Sequence, residues 1–66
     1  MHITLNGQPF ELQSGATLLD VIRALELEGS RYAIEVNEEI IPRSEHAGYT
    51  VKPGDDVEVV QAIGGG

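Results

Sequence analysis

Residues 3–29, ITLNGQPFELQSGATLLDVIRALELEG, change their hydrophobic period once, and that change decides the fold. At the start the period is two. Ile3 and Leu5 share one face, His2 and Thr4 the other, and Phe10 and Leu12 repeat the alternation after Asn6-Gly7. A period of two is that of a half-buried strand, and Asn-Gly is the strongest short hairpin signal because both turn positions tolerate positive φ. The stretch predicts two antiparallel strands with Phe10 and Leu12 facing inward. From Leu18 the period becomes helical, with Leu18, Val21, Ile22 and Leu25 at i, i+3, i+4 and i+7. Thr17 is placed to cap the helix, and Asp20, three residues on, completes a capping-box-like pair and faces the positive end of the helix dipole. Gly29 is a natural stop signal. The pattern predicts a helix from about 18 to about 28.

Outward from this unit, RYAIEV (31–36) reads as a strand with Tyr32, Ile34 and Val36 in one phase. Asn37-Glu38 turns the chain, and Ile40-Ile41 is a short strand ended by Pro42, which has no N–H to give a ladder. RSEHAGYT (43–50) has no period and reads as irregular. KPGD (52–55) fits a type II turn, with Pro53 second and Gly54 at the position that requires positive φ. DVEVVQAI (56–63) is the last strand, with Val57, Val59 and Gln61 alternating against Glu58, Val60 and Ala62. The order β-β-α-β-β-β predicts an α+β domain, one helix packed across a mixed four- to five-stranded sheet. The predicted division is a domain over 1–63 and a flexible glycine tail over 64–66.

Composition narrows the function classes. The 66 residues include no cysteine, so neither disulfides nor thiolate metal sites are available. A core of this size must rest on regular secondary structure. Four basic against eleven acidic residues give a net charge of −7. That balance argues against nucleic acid, whose phosphates need Lys and Arg clusters, and favours partners with basic surfaces. No stretch approaches the roughly 18 apolar residues of a membrane span, and MHITLNG has no signal-peptide pattern, so the expected location is the cytoplasm.

Side chains offer little for catalysis. His2 and His46 have no evident partner and read as solvated surface residues. The pairs Glu38-Glu39 and Asp55-Asp56 are sequence neighbours, which point to opposite faces of a strand, and read as turn and surface residues. No serine has a nearby histidine, and no metal site is predicted. The sequence QAIGGG (61–66) raises another possibility: the reactive group is the carboxylate of Gly66. A carboxylate becomes an acylating agent once joined to AMP, and residues without Cβ thread a narrow, water-excluding pocket without clashes.

The segments ITLNGQPFEL, VNEEIIPR and KPGDDVEVVQAIGGG together resemble the ThiS family of thiamine-pathway sulfur carriers, over essentially the whole chain. The resemblance implies the ubiquitin-like β-grasp fold, with the last strand central beside the first. It implies a carrier that is not itself an enzyme and binds no cofactor. An E1-like, ThiF-type adenylyltransferase would use ATP to adenylylate Gly66. A persulfide donor would convert the adenylate to a thiocarboxylate, and a ThiG-type thiazole synthase would take the sulfur. Partners would grip Val60, Ala62, Ile63, Gly64 and Gly65. The diglycine end is shared with the molybdopterin-pathway carrier and with ubiquitin-like protein modifiers, which remain the alternatives. Family members usually end in two glycines; Gly64 here makes a third.

Overall fold

The computed structural model describes residues 1–62; residues 63–66 lie outside it, and with them the predicted glycine tail. Strands β1 (His2–Leu5) and β2 (Gln8–Glu11) form the first hairpin, with Ile3 opposite Phe10. Asn6 and Gly7 both have positive φ, as the two-residue turn demands. A helix, α1 (Leu18–Ala24), follows, then β3 (Tyr32–Val36) and β4 (Glu39–Ile41), joined by Asn37 and Glu38, again both at positive φ. A 3₁₀ segment (Arg43–Gly48) leads to the Lys52–Asp55 turn, where Gly54 has φ 82°, and to β5 (Asp56–Gln61). The sheet has five strands in the order β2-β1-β5-β3-β4. β5 is central, parallel to β1 and antiparallel to β3.

One face of the sheet and one face of the helix make the core. Ile3, Leu5, Ile34, Val36, Val57 and Val59 meet Leu18, Val21 and Ile22 in a single buried cluster. Each such side chain contributes about 1.5–3 kcal/mol on burial. The start of α1 is fixed by the predicted capping box: Asp20 N–H donates to Thr17 Oγ1 and Thr17 N–H donates to Asp20 Oδ2. Leu18 N–H to Tyr49 C=O and Val51 N–H to Ala16 C=O tie the same end to the chain ahead of β5.

The structure departs from the sequence reading at three places. The helix ends four residues early, at Ala24 rather than about 28. Glu26 adopts φ 57°, its N–H bonds Arg23 C=O, and Leu27 N–H bonds Ile22 C=O, which is a Schellman motif. Leu27 then packs against the core, as does Leu25; a continued helix would point them roughly 200° apart. Gly29, at φ 86°, serves a later turn. Second, the segment read as irregular is the 3₁₀ helix, and His46 within it is 3% exposed rather than solvated. Its Nε2 lies 2.8 Å from Ile41 C=O and its ring stacks on Tyr32, whose own ring also carries the Arg43 guanidinium. Third, Asp55 is buried at 7%, not a surface residue. It accepts from Lys52 N–H (2.9 Å) and Asn37 Nδ2 (3.1 Å), which replace the water it gives up.

Candidate functional site

The candidate site is the C-terminal half of β5 and the sheet face turned away from α1. Alternation along β5 sends Val57 and Val59 into the core and Asp56, Glu58 and Val60 outward, as the sequence predicts. Val60 is 60% exposed, and Ala62 is exposed just beyond the strand. Ile63, Gly64, Gly65 and Gly66, the other predicted site residues, lie outside the described residues.

Register assembles the rest of that face. Val60 stands opposite Ala33, Glu58 opposite Glu35, and Glu35 opposite Ile40. Ile40 is 73% exposed, the most exposed large apolar side chain among the described residues, and sequence reasoning missed it. In Ile40-Ile41 either isoleucine could have been the inward one. The face is therefore apolar at Val60 and Ile40 and acidic along Glu35, Glu58 and Asp56. Like charges directly opposite on neighbouring strands destabilise a sheet, here by a few tenths of a kcal/mol. A face that carries such a pair suits a basic partner better than open water.

Two asparagine side chains position the strand that carries this face. Asn6 Oδ1 accepts from Val59 N–H at 2.8 Å, extending the grip of β1 past its last paired residue. Asn37 Oδ1 accepts from Asp56 N–H at 3.0 Å while its Nδ2 donates to Asp55. Both asparagines sit at positive φ in hairpin turns, which Asn tolerates better than most residues. The turn role was legible; the side-chain bonds, spanning 53 and 19 residues, were not.

Nothing on the described surface competes as a reaction centre. His46 is sealed in, with Nδ1 unpartnered. Burial first, then the carboxylates of Asp55 and Glu39, raise the Tyr49 phenol above its ordinary 10.0, so it stays protonated at neutral pH. One shallow concavity is lined by Ser44, Glu45, Gly48 and Tyr49 and another by His2, Ile3, Thr4, Gly7, Pro9 and Gly54; in neither does a hydroxyl hydrogen-bond a histidine or a carboxylate. Among the described residues no three His, Asp or Glu converge on a metal position, and no helix is long and apolar enough to cross a membrane.

Comparison with known proteins gives a consistent set of likenesses. The model of the ThiS family matches residues 3–66. The sulfur carrier protein ThiS of Escherichia coli is 30% identical over 66 residues, covering all of both chains. The crystal structure of the thiamine biosynthesis protein ThiS from Geobacter metallireducens superposes with a TM-score of 0.82 at 30% identity, again over the whole of both chains. A thiazole synthase of Magnetococcus marinus is 33% identical over 66 residues, as is one of Paramagnetospirillum magneticum. The chain spans only 20% of the length of those two proteins.

Proposed function

The chain belongs to the ThiS family of sulfur carriers in thiamine biosynthesis, and from that premise we propose that its own cargo site is the carboxylate of Gly66. The carboxylate attacks the α-phosphorus of ATP on an E1-like adenylyltransferase, and pyrophosphate leaves. The terminal sulfur of a persulfide then attacks the carbonyl carbon, and AMP departs with the bonding electron pair. A thiol cleaves the resulting acyl disulfide, taking the donor sulfur into a new disulfide and leaving a thiocarboxylate on Gly66. A thiazole synthase consumes that sulfur for the thiazole ring and returns the carboxylate. The carrier supplies no acid, base or cofactor to these steps. Its role is to be recognised and to deliver its end.

One observation carries this reading: the strand that runs into residues 63–66 is the central strand of the sheet, and it leaves Val60 and Ala62 exposed beside them. β3 holds β5 as far as Ala62, so the chain is positioned on the docking face up to that residue, and such positioning lowers the entropic cost of reaching a partner's pocket. Gly64 and Gly65 then enter a channel too narrow for side chains. The two thiazole synthases that include a segment similar to the whole chain support thiazole synthase as the consumer, since joined domains meet at high effective concentration.

The test is intact mass spectrometry after incubation with ATP, the adenylyltransferase of the same genome and a persulfide donor. The expected result is a mass gain matching replacement of one oxygen by sulfur, lost when Gly66 is deleted. An unchanged mass overturns the reading, and conjugates to lysine amines of other proteins move the chain to the modifiers.

A further inference from the structure

β5 is bonded unequally on its two sides. Towards β3 the ladder runs its full length, from Asn37 N–H to Asp56 C=O at one end to Ala62 N–H to Arg31 C=O at the other. Towards β1 the pairing covers only Asp56 and Val57. Asn6 adds a backbone bond to Val57 C=O and the side-chain bond from Val59 N–H, and there the first hairpin turns away. Backbone groups of successive strand residues point to alternate sides. Even-numbered residues of β5 therefore serve β3, and Val59 C=O and the N–H and C=O of Gln61 point to the side that β1 has vacated. Among the described residues these three groups have no hydrogen-bond partner. Half of a central strand is an open edge.

The other edges of the sheet are closed to pairing. β2 carries Pro9 within its four residues, and β4 is three residues long with Pro42 directly after it. Short strands and prolines are the usual protection of an edge against addition of a foreign strand. The half-edge of β5 has neither proline, charge nor bulge, and exposed Val60 and Gln61 flank it. We infer that residues Val59 to Gln61 accept an extended segment of the thiazole synthase, which fills the vacated place in line with β1. Backbone bonds to Val59 and Gln61 provide the contact, and an apolar side chain of the segment lies against Val60. The inference rests on the carrier reading for the identity of the enzyme, and names the element by which that enzyme holds the carrier.

Gln61→Pro removes the edge donor. The Gln61 N–H does not serve β3, so the ladder that holds the strand is untouched, and proline is tolerated where the N–H faces out. Gln61→Ala removes the side chain and keeps the donor. With the full chain and the thiazole synthase of the same genome, Gln61→Pro is expected to weaken binding roughly tenfold and Gln61→Ala less than about twofold. Amide hydrogen exchange on the wild-type chain reads the same bond directly and does not depend on how the proline variant folds. The Gln61 amide is expected to exchange fast in the free protein and to be protected in the complex. Absence of a complex, wild-type binding by Gln61→Pro in a folded chain, or an unprotected Gln61 amide in a saturated complex each overturns the inference. The carrier reading is scored separately by intact mass. A chain that acquires sulfur while Gln61 stays unprotected sinks the edge alone. A chain that protects Gln61 yet never acquires sulfur keeps the edge and removes the chemistry.

Discussion

Val59 and Val60 are neighbours in the chain and opposites in the molecule. Val59 is closed into the cluster with Ile34 and Val57, while Val60 stands in solvent on a face shared with Glu35, Glu58 and Ile40. The inner face obeys packing: aliphatic side chains, a capped helix above them, and buried polar groups such as Asp55 with partners. The outer face breaks two rules of comfortable surfaces, since it exposes two large aliphatics and sets two carboxylates opposite each other. Stability does not need either feature, so the outer face is where recognition is free to shape the sequence.

Four substitutions test how sharply the two faces differ. The largest effect belongs to Val59→Arg, which buries an unpaired guanidinium. A loss of about 4 kcal/mol or more is expected, most of the stability of so small a domain, and circular dichroism should show an unfolded chain at room temperature. Next is Asp55→Ala, also on the inner side, which strands Lys52 N–H and Asn37 Nδ2. Urea unfolding should register a loss of about 2 kcal/mol. Glu58→Lys on the outer face should act in the other direction. It replaces repulsion across to Glu35 with attraction, stabilising the fold by about 0.5 kcal/mol in low salt, and the gain should shrink as ionic strength rises. Partner binding should weaken in the same variant, and a variant that is both more stable and equally well bound would remove recognition as the reason for the acidic pair. The smallest change in stability, within about half a kcal/mol, is expected for Val60→Arg, read from thermal melts. Its affinity for the adenylyltransferase should nonetheless fall at least about tenfold. If Val60→Arg unfolds the domain while Val59→Arg does not, the faces are assigned the wrong way round.

Much of this division was legible in the sequence. The alternation of β1 and β5, Asn6-Gly7, the Thr17 and Asp20 cap and the Lys52–Asp55 turn are local signals, and the structure keeps each of them. The misreadings share a physical cause, contacts that exist only once the chain has folded. In the sequence Gly29 is the stronger stop signal and carries the helix to 28, whereas in the fold Leu27 packs against the core and Glu26 takes the left-handed position. His46 and Asp55 read as surface residues because Tyr32 and Ile41, and Asn37, approach them only after folding. Of the candidate site, the outward Val60 followed from strand period alone. Ile40 was hidden by its isoleucine neighbour, and the asparagine bonds that fix β5 carry no periodic signature.

The strand order has a consequence for how the chain is made. The two hairpins, β1–β2 and β3–β4, do not pair with each other; β5 alone joins them, and it is the last of the strands to be synthesised. Until β5 leaves the ribosome, each hairpin presents an unsealed inner edge and shares no ladder with the other, and isolated hairpins are at best marginally stable in water. Folding therefore waits for the final strand and then closes both halves at once, through contacts that are long in sequence on the β1 side. Translation interrupted before β5 yields only loose hairpins, open to proteolysis. A chain broken off before residue 56 lacks the strand that joins its two hairpins, so the sheet assembles only in chains translated through β5.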